Sequence, residues 1–304
     1  MGGPERVSAV STGAVPTGDR PRAAARRAAV LGHPIAHSLS PVLHRAAYAA
    51  LGLDCWQYDA VDVREEELAG FVAGLDGSWA GLSLTMPLKQ TVLPLLDHVE
   101  PLADVVGAVN TVLVQAAPGR PVLVGANTDV HGVVASLREG LGEQRRIASA
   151  VVLGAGATAA STLAGLAELG CTTAQVFVRS VGRAGATMRA AHRMGVEPRF
   201  LPMDPAERLL DAMRTADVVV STLPARAADP FAASLGDAVG GVLLDVAYDP
   251  RQTALGTAWR AADGRAVGGE RMLLHQATEQ VRLMTGLPAP RAAMEQALEA
   301  ALAG

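Results

Sequence analysis

Hydrophobic residues along the chain alternate between short continuous runs and stretches in which apolar positions recur every three or four residues. The first continuous run, residues 28–31, is followed by Gly32 and Pro34, a pattern typical of a buried strand that enters a loop. Helical spacing begins at Pro41, with Ser40 as the predicted N-cap. In the same part of the chain we predict two more strands and one more helix, over residues 55–63, 81–85 and 65–73. Strands that alternate with helices favour a mostly parallel sheet.

A second series of strands and helices fills the middle of the chain. Residues 150–153 form a continuous apolar run, Gly154 to Gly156 a tight turn, and residues 157–169 an Ala- and Leu-rich helix that ends at Gly170. Further strands and one helix are predicted over residues 174–178, 217–221, 242–246 and 184–194. Such a βαβ series is typical of a doubly wound Rossmann-type domain. The stretch 272–302 is predicted to be helical and to pack on one of the two sheets.

The length and charge of the chain narrow the class of protein. Its 304 residues are enough for two domains, each with an apolar core of its own. The formal net charge is -4 and no segment is rich in Lys and Arg, so we expect a small-molecule ligand rather than nucleic acid or a membrane surface. Although 50% of the residues are hydrophobic, no segment approaches the roughly 20 unbroken apolar residues of a membrane helix. We therefore expect a soluble protein.

Cysteine and lysine are both scarce. Cys55 and Cys171 lie outside any CxxC or Cys/His ligand spacing, so we predict no disulfide framework, no metal site and a cytoplasmic location. Lys89 is the single lysine among 26 Lys and Arg residues. An ammonium group can release its proton near neutral pH when its surroundings favour this, whereas a guanidinium cannot. Residues 1–27 mix Gly, Pro, Ser and Arg without an apolar stretch, and we predict a disordered tail there.

The turn at residues 154–156 has the features of a dinucleotide-binding turn. Gly154 permits a sharp bend, Gly156 lets the main chain approach a pyrophosphate, and the small Ala159 allows close helix packing. The start of the following helix supplies N–H donors and a favourable dipole for an anion. We predict that the residues of this turn contact the cofactor, namely Gly154, Ala155, Gly156, Ala157 and Thr158.

The end of the next predicted strand bears on which nucleotide is bound. An NAD site would place Asp or Glu there to hold the ribose 2′-hydroxyl, but this chain has Arg179 and Ser180, followed by Arg183. Two guanidiniums and a hydroxyl suit a 2′-phosphate through charge-assisted bonds, so NADP is the predicted cofactor. The alternative is that both arginines are merely solvated.

Five further motifs occur in a fixed order along the chain. They cover residues 33–41 (HPIAHSLSP), 84–89 (LTMPLK), 107–111 (GAVNT), 127–129 (NTD) and 272–277 (MLLHQA). Together they resemble the signatures of the shikimate dehydrogenase family, over about residues 28–303. The resemblance implies reversible NADPH-dependent reduction of 3-dehydroshikimate to shikimate, a step of aromatic amino-acid biosynthesis. We expect a substrate-binding α/β domain of residues 28–128 and 270–304, an NADP-binding Rossmann domain of residues 129–269, and an active site between them.

The resemblance also implies roles for individual residues. Lys89 and Asp129 match the catalytic pair, in which the lysine exchanges a proton with the substrate oxygen and the carboxylate orients it. The residues that match substrate-binding positions are Ser38, Ser40, Thr85, Asn110, Tyr248 and Gln276. Those that match the region around the nicotinamide are Val246, Gly269 and Met272.

The sequence also departs from the family pattern. Many members have Asn where this chain has Ser83, Thr222 begins an atypical stretch after a predicted strand, and Ala157 replaces a third glycine. These differences leave the fine shape of the cofactor site open. A quinate or aminoshikimate dehydrogenase of the same superfamily and a non-catalytic NADP- and shikimate-binding regulator are the alternatives. The sequence does not distinguish a monomer from a homodimer.

Overall fold

Two six-stranded sheets organise the computed structural model, which describes residues 25–142 and 146–303. The strands are β1 (Arg26–Gly32), β2 (Trp56–Asp62), β3 (Trp79–Leu84), β4 (His98–Val99), β5 (Thr111–Gln115), β6 (Val122–Ala126), β7 (Ala150–Leu153), β8 (Gln175–Val178), β9 (Arg199–Pro202), β10 (Val218–Ser221), β11 (Val242–Asp245) and β12 (Arg265–Gly268). The helices are α1 (Ser40–Ala50), α2 (Glu65–Ala73), α3 (Leu88–Thr91), α4 (Pro101–Val106), α5 (Asp129–Leu141), α6 (Ala157–Glu168), α7 (Gly185–Arg193), α8 (Ala206–Thr215), α9 (Asp229–Ala232), α10 (Ala254–Ala261), α11 (Gly269–Thr285) and α12 (Arg291–Ala303).

The first sheet has the strand order β2-β1-β3-β5-β6-β4. Its pairings are parallel except those of β3 with β5 and of β5 with β6. β5 and β6 are joined by only the residues 116–121, with Gly119 at φ +89°. A connection this short can join antiparallel strands but is too short to cross over to a parallel partner. The sheet is therefore mostly parallel, as predicted, with one hairpin inside it.

The second sheet has the strand order β12-β11-β10-β7-β8-β9, and all its pairings are parallel. Counted from β7, this is the doubly wound order 3-2-1-4-5-6, with the reversal of strand order between β7 and β10. Ligands of such sheets bind at that reversal, beyond the carboxyl ends of the strands. The Rossmann-type fold predicted for this part of the chain is confirmed.

Helices α5 and α11 join the two sheets. Val133 and Leu137 of α5, with Met272 of α11, belong to the apolar core around β7. Leu274 of α11 lies in a second core, with β1, α1 and α12. The two helices approach closely, since a Cβ on Gly132 would lie 2.9 Å from the carbonyl oxygen of Met272. α11 therefore packs on the first sheet with one face and on the second sheet with another.

Two local predictions at the start of the chain are wrong. Ser40 is the first residue of α1 rather than its N-cap, and its side chain is buried at the cavity described below. The predicted tail extends too far, because Arg26 and Arg27 are already part of β1. Their guanidiniums donate to the carbonyl oxygen of Trp79 at 2.7 Å and to the hydroxyl of Ser78 at 3.1 Å. The rest of the predicted tail, residues 1–24, lies outside the described residues.

The predicted C-terminal helical stretch consists of two helices. α11 ends at Gly286, which has φ +73°, and α12 begins after Pro288 and Pro290. In the described ranges, no helix combines the length and apolar character needed to span a bilayer.

Candidate active site

A cavity of about 250 Å³ lies between the two sheets. Most of its lining residues lie at or just after the carboxyl ends of β1, β3, β6, β7 and β11, and most of the others lie on α11. Every predicted catalytic and substrate-binding residue lines it, together with four of those predicted to contact the cofactor: Ser38, Ser40, Thr85, Lys89, Asn110, Asp129, Tyr248 and Gln276, with Thr158, Val246, Gly269 and Met272. Side chains spread over more than 230 positions of sequence therefore share one space.

Lys89 and Asp129 form an ion pair at the wall of this cavity. Lys89 lies in α3 and Asp129 is the first residue of α5. The ammonium nitrogen is 2.5 Å from Oδ2 of the carboxylate, and the side chains are only 15% and 5% exposed. Removal of either partner would leave an uncompensated buried charge, which is strongly destabilising.

Asn110 fixes the orientation of the Asp129 carboxylate. Its Nδ2 donates to Oδ1 of Asp129 at 2.8 Å and to the hydroxyl of Thr128 at 2.9 Å. The main-chain N–H of Thr128 donates to Oδ1 of Asn110 at 2.7 Å, and this bond fixes which side of the Asn110 amide carries the oxygen. Gln276 lies beside this group, and its Nε2 donates to the carbonyl oxygen of Leu273 at 3.0 Å. The Asp129 carboxylate is thus held by the Asn110 amide at Oδ1 and by the Lys89 ammonium at Oδ2.

The remaining predicted substrate residues stand on loops around the cavity. Ser38 and Ser40 are close enough for the main-chain N–H of Ser40 to donate to the Ser38 hydroxyl at 3.4 Å. Thr85 follows β3, and Tyr248 follows β11 on the opposite side. Burial, with a further contribution from the charge of Asp249, raises the pKa of Tyr248 above its ordinary value. Tyr248 therefore keeps its phenol proton at neutral pH and can act as a donor.

Sequence reasoning missed Gln280 as a cavity residue and treated Ser83 only as a departure from the family pattern. Both line the cavity. Gln280 could have been found from its position, because residues four apart on a helix share a face and Gln276 was already predicted. Ser83 carries no local signal that separates it from an ordinary strand residue.

The dinucleotide turn has the backbone geometry that the sequence predicts. Gly154 has φ +105°, and a Cβ there would lie 2.6 Å from Oγ1 of Thr222. Thr222 donates to the carbonyl oxygen of Leu153 at 2.7 Å, so this atypical residue supports the turn. Gly156 is the N-cap of α6 and has open space beside it, while Ala159 is fully buried. The first turn of α6 thus presents N–H groups without side-chain obstruction.

The predicted phosphate-binding residues lie on the surface after β8. Arg179, Ser180 and Arg183 are all exposed, and Arg183 belongs to the short 3-10 helix that precedes α7. Within the described residues, neither guanidinium has a hydrogen-bond or ion-pair partner. Two cationic groups are therefore available to an anion near the dinucleotide turn.

Comparisons with known proteins show the family to which the chain is similar. Residues 30–112 match the family model for the shikimate dehydrogenase substrate binding domain, and residues 269–299 match that for the shikimate 5'-dehydrogenase C-terminal domain. A shikimate dehydrogenase (NADP(+)) from Citrifermentans bemidjiense is 37% identical over 281 residues, which cover 90% of this chain and 95% of that protein.

Solved structures show the same similarity. The crystal structure of Mycobacterium tuberculosis shikimate dehydrogenase is 44% identical, with a TM-score of 0.80 over 90% of this chain and 99% of that one. The Thermus thermophilus shikimate 5-dehydrogenase in complex with NADP(H) and shikimate is 35% identical, with a TM-score of 0.76 over 91% and 100%. The residues predicted from the family resemblance to be catalytic or to bind the substrate line one cavity, and the relatives are similar over about 90% of the chain. This chain belongs to the shikimate dehydrogenase family.

Proposed function

We propose that this chain catalyses the reversible NADP-dependent reduction of 3-dehydroshikimate to shikimate, a step of aromatic amino-acid biosynthesis. The observation that carries the proposal is the Lys89–Asp129 ion pair at the wall of the cavity between the two sheets. Reduction of a ketone requires a proton donor beside the carbonyl oxygen, and an ammonium held by a carboxylate is such a donor. We expect the reaction to take place in the cytoplasm, since the chain has only two cysteines, both free.

The residues around the dinucleotide turn fit an NADP molecule. The turn at Gly154 and Gly156 and the N-terminus of α6 suit a pyrophosphate, and Ala155, Ala157 and Thr158 complete that stretch. Arg179, Ser180 and Arg183 suit the 2′-phosphate. Bound NADPH would supply the hydride that reduces the ketone carbon. Val246, Gly269 and Met272 would border the nicotinamide where they line the cavity.

Within the cavity, each polar side chain takes a distinct part. Ser38 and Ser40 donate to the substrate carboxylate, and Thr85 and Gln276 hydrogen-bond the ring hydroxyls and the carboxylate. Asn110 joins them by exchanging its bond to the Thr128 hydroxyl for one to the substrate. Tyr248 closes the opposite wall with its phenol. Lys89 transfers its proton to the oxygen of the former ketone, while Asp129 orients the lysine and accepts a hydrogen bond from the substrate hydroxyl. In the reverse direction Lys89 accepts the proton.

The domain division that we propose follows the two sheets. Residues 28–128 with 270–304, joined by Arg26 and Arg27 of β1, would form the domain that binds the substrate, and residues 129–269 would bind NADP. Because α11 packs with both sheets, it is suited to couple any movement of one against the other. Closure of the cleft would exclude water from the reacting groups. One chain supplies every residue of the proposed site, so a monomer or a homodimer would serve.

The decisive experiment is a panel of kcat/KM values for shikimate, quinate and aminoshikimate, each with NADP and with NAD. We expect the highest value for shikimate with NADP. A higher value for quinate or aminoshikimate would assign the chain to another activity of the superfamily. Binding of shikimate and NADP without any turnover would indicate a regulator instead of an enzyme.

A further inference from the structure

A chain of buried hydrogen bonds runs behind one wall of the cavity. The Tyr58 phenol oxygen is 2.6 Å from Oγ of Ser83, which is 2.8 Å from Oε1 of Gln280. Nε2 of Gln280 lies 3.0 Å from Oγ1 of Thr111 and 3.3 Å from the carbonyl oxygen of Asn110. Tyr58, Ser83 and Gln280 are 0%, 4% and 1% exposed, and the latter two line the cavity.

The protons in this series of hydrogen bonds can be assigned by elimination, starting from the main-chain carbonyl oxygen of Asn110. The carbonyl oxygen of Asn110 can only accept, so Gln280 must turn its Nε2 toward it. Thr111 donates its hydroxyl proton to Oδ1 of Asn110 at 2.9 Å, which leaves its oxygen to accept from the same Nε2. Both protons of the Gln280 amide nitrogen are therefore used inside the protein, and its Oε1 faces Ser83.

The direction of the remaining bonds follows. Oε1 of Gln280 can only accept, so the single hydroxyl proton of Ser83 must be donated to it. Tyr58 must then donate to Ser83, which agrees with its burial, since burial raises the pKa of the Tyr58 phenol well above its ordinary range. Of the two lone pairs on the Ser83 oxygen, Tyr58 uses one. Toward the cavity, Ser83 and Gln280 can accept hydrogen bonds but cannot donate one.

We propose that Ser83 determines substrate specificity by forming, with Gln280, a subsite that only accepts hydrogen bonds. The inference rests on the proposed function and adds to it the chemistry of one ring substituent. A hydroxyl or an ammonium group on the substrate can donate a hydrogen bond to Ser83 or Gln280. A ketone, an ether or a carboxylate oxygen has no proton to donate, so two acceptors would face each other. The substrate ketone is thereby excluded from Ser83 and directed to the donor, Lys89. An Asn at position 83 would bring N–H donors and remove this selection.

The test uses shikimate analogues in which each of the two non-reacting ring hydroxyls is replaced, in turn, by an amine or by a methoxy group. At one of the two positions, we expect the wild-type chain to favour the amine over the methoxy compound by about tenfold to hundredfold in kcat/KM. The difference should appear in KM, because the subsite binds a ring substituent that takes no part in the proton transfer. The Ser83→Asn variant should lower this ratio toward one, because the amide nitrogen can donate to a methoxy oxygen.

Tyr58→Phe is the matched control. It removes the phenol hydroxyl, which bonds Ser83 and also interacts with Ser40, but leaves Ser83 an acceptor. The ratio of amine to methoxy should therefore stay as in the wild type, whatever the change in kcat/KM for shikimate. Equal values for the two analogues in the wild-type chain, or an equal change of the ratio in Ser83→Asn and Tyr58→Phe, would overturn the proposal. Dissociation constants of the same analogues, measured by calorimetry, need no turnover. A chain that fails to oxidise shikimate but keeps the amine preference in binding would refute the proposed function and not the subsite.

Discussion

The two sides of the cavity differ in how their polar groups are held in place. On the side of the first sheet, Asn110, Asp129, Ser83 and Gln280 are buried polar side chains that hydrogen-bond one another or their neighbours. On the side of the second sheet, a main-chain turn at Gly154 precedes a helix N-terminus, and the cationic side chains nearby are exposed. The first side has groups that are already oriented, and the second has groups that are free to adapt.

This difference indicates what each side can contribute. Buried hydrogen-bonded groups in a low-dielectric setting keep their orientation during a reaction, which suits proton transfer and recognition of a small ring. Exposed guanidiniums interact through water and are screened by salt, which suits reversible binding of a phosphate. Substitutions on the first side should therefore change kcat or selectivity, and those on the second side should change cofactor affinity.

The largest effect that we expect is that of Lys89→Arg on the buried side. Arginine keeps the positive charge but holds its proton, so substrate binding should survive while proton transfer fails. We expect kcat to fall by about 10² to 10⁴, with little change in KM, in steady-state assays with shikimate and NADP.

Asp129→Asn provides the companion measurement. It should also lower kcat, and the double variant should be scarcely worse than Lys89→Arg, because the two residues act as a unit. Near-normal kcat for Lys89→Arg, or a change confined to KM, would mean that Lys89 only positions the substrate and that the proton comes from another group.

Acid sensitivity should also originate on the buried side, at His44. Its ring stacks on Tyr58 with centroids 3.9 Å apart. Burial lowers the pKa of His44 to about 4, against the raising effect of its hydrogen bond with the carbonyl oxygen of Ser40. Since the folded-state pKa lies below the unfolded value, the stabilisation is complete above about pH 6.5 and is lost as the pH falls toward 4. We expect a loss of about 3 kcal/mol in the free energy of unfolding from this residue.

Denaturant unfolding of wild type and His44→Gln at pH 7 and pH 4 would measure this contribution. The variant should lose less stability between the two pH values than the wild type, by about 3 kcal/mol. Burial also lowers the pKa of His275, but that residue is present in both proteins and cancels in the difference. His192→Gln, at an exposed position, is the control. If both variants follow the wild-type pH dependence, His44 is not the acid-sensitive group.

On the exposed side, replacement of Arg179 and Arg183 by Ala should weaken NADP binding selectively. Each substitution removes a charge-assisted bond of about 1.5–3 kcal/mol, and solvent screening favours the lower end of this range. KM for NADP should rise far more than KM for NAD, and the wild-type preference for NADP should decrease with added salt. Arg208→Ala, at another exposed arginine of the same half, should change neither value. An unchanged ratio of NADP to NAD would exclude both arginines from cofactor selection.

The smallest effect should come from removal of residues 1–24, which belong to neither side of the cavity as defined above. Residues 1–24 have no apolar periodicity in their sequence with which to pack on a core. A chain that begins at Ala25 should keep its kcat and its melting temperature. It must retain Arg26, because the guanidinium of Arg26 bonds the carbonyl oxygen of Trp79. A clear loss of activity or of melting temperature on removal of residues 1–24 would show that this segment contributes to the fold or the site.

Local pattern was sufficient for some elements. α2 and β7 were predicted with the bounds that the structure has: β7 is a continuous apolar run that ends at Gly154, and α2 is followed by Gly74. The strands β4, β5, β6, β9 and β12 were not predicted. Length alone does not explain this, because β8, β10 and β11 are also only four residues long and were predicted from their apolar residues. The pairing partners of the missed strands are decided by the rest of the sheet.

For the site, the sequence by itself determined the residue types and the order of the motifs, and with them the family. Only the tertiary structure decided how those residues are connected. The bond between Ser83 and Gln280 spans 197 positions, and that between Asn110 and Asp129 joins the residue before β5 to the first residue of α5. Sequence spacing reports on neighbours within one helix or strand, whereas the direction of a hydrogen-bond chain depends on which main-chain carbonyl lies at its end. In this protein that end is the carbonyl oxygen of Asn110, brought to Gln280 by the packing of α11 on the first sheet.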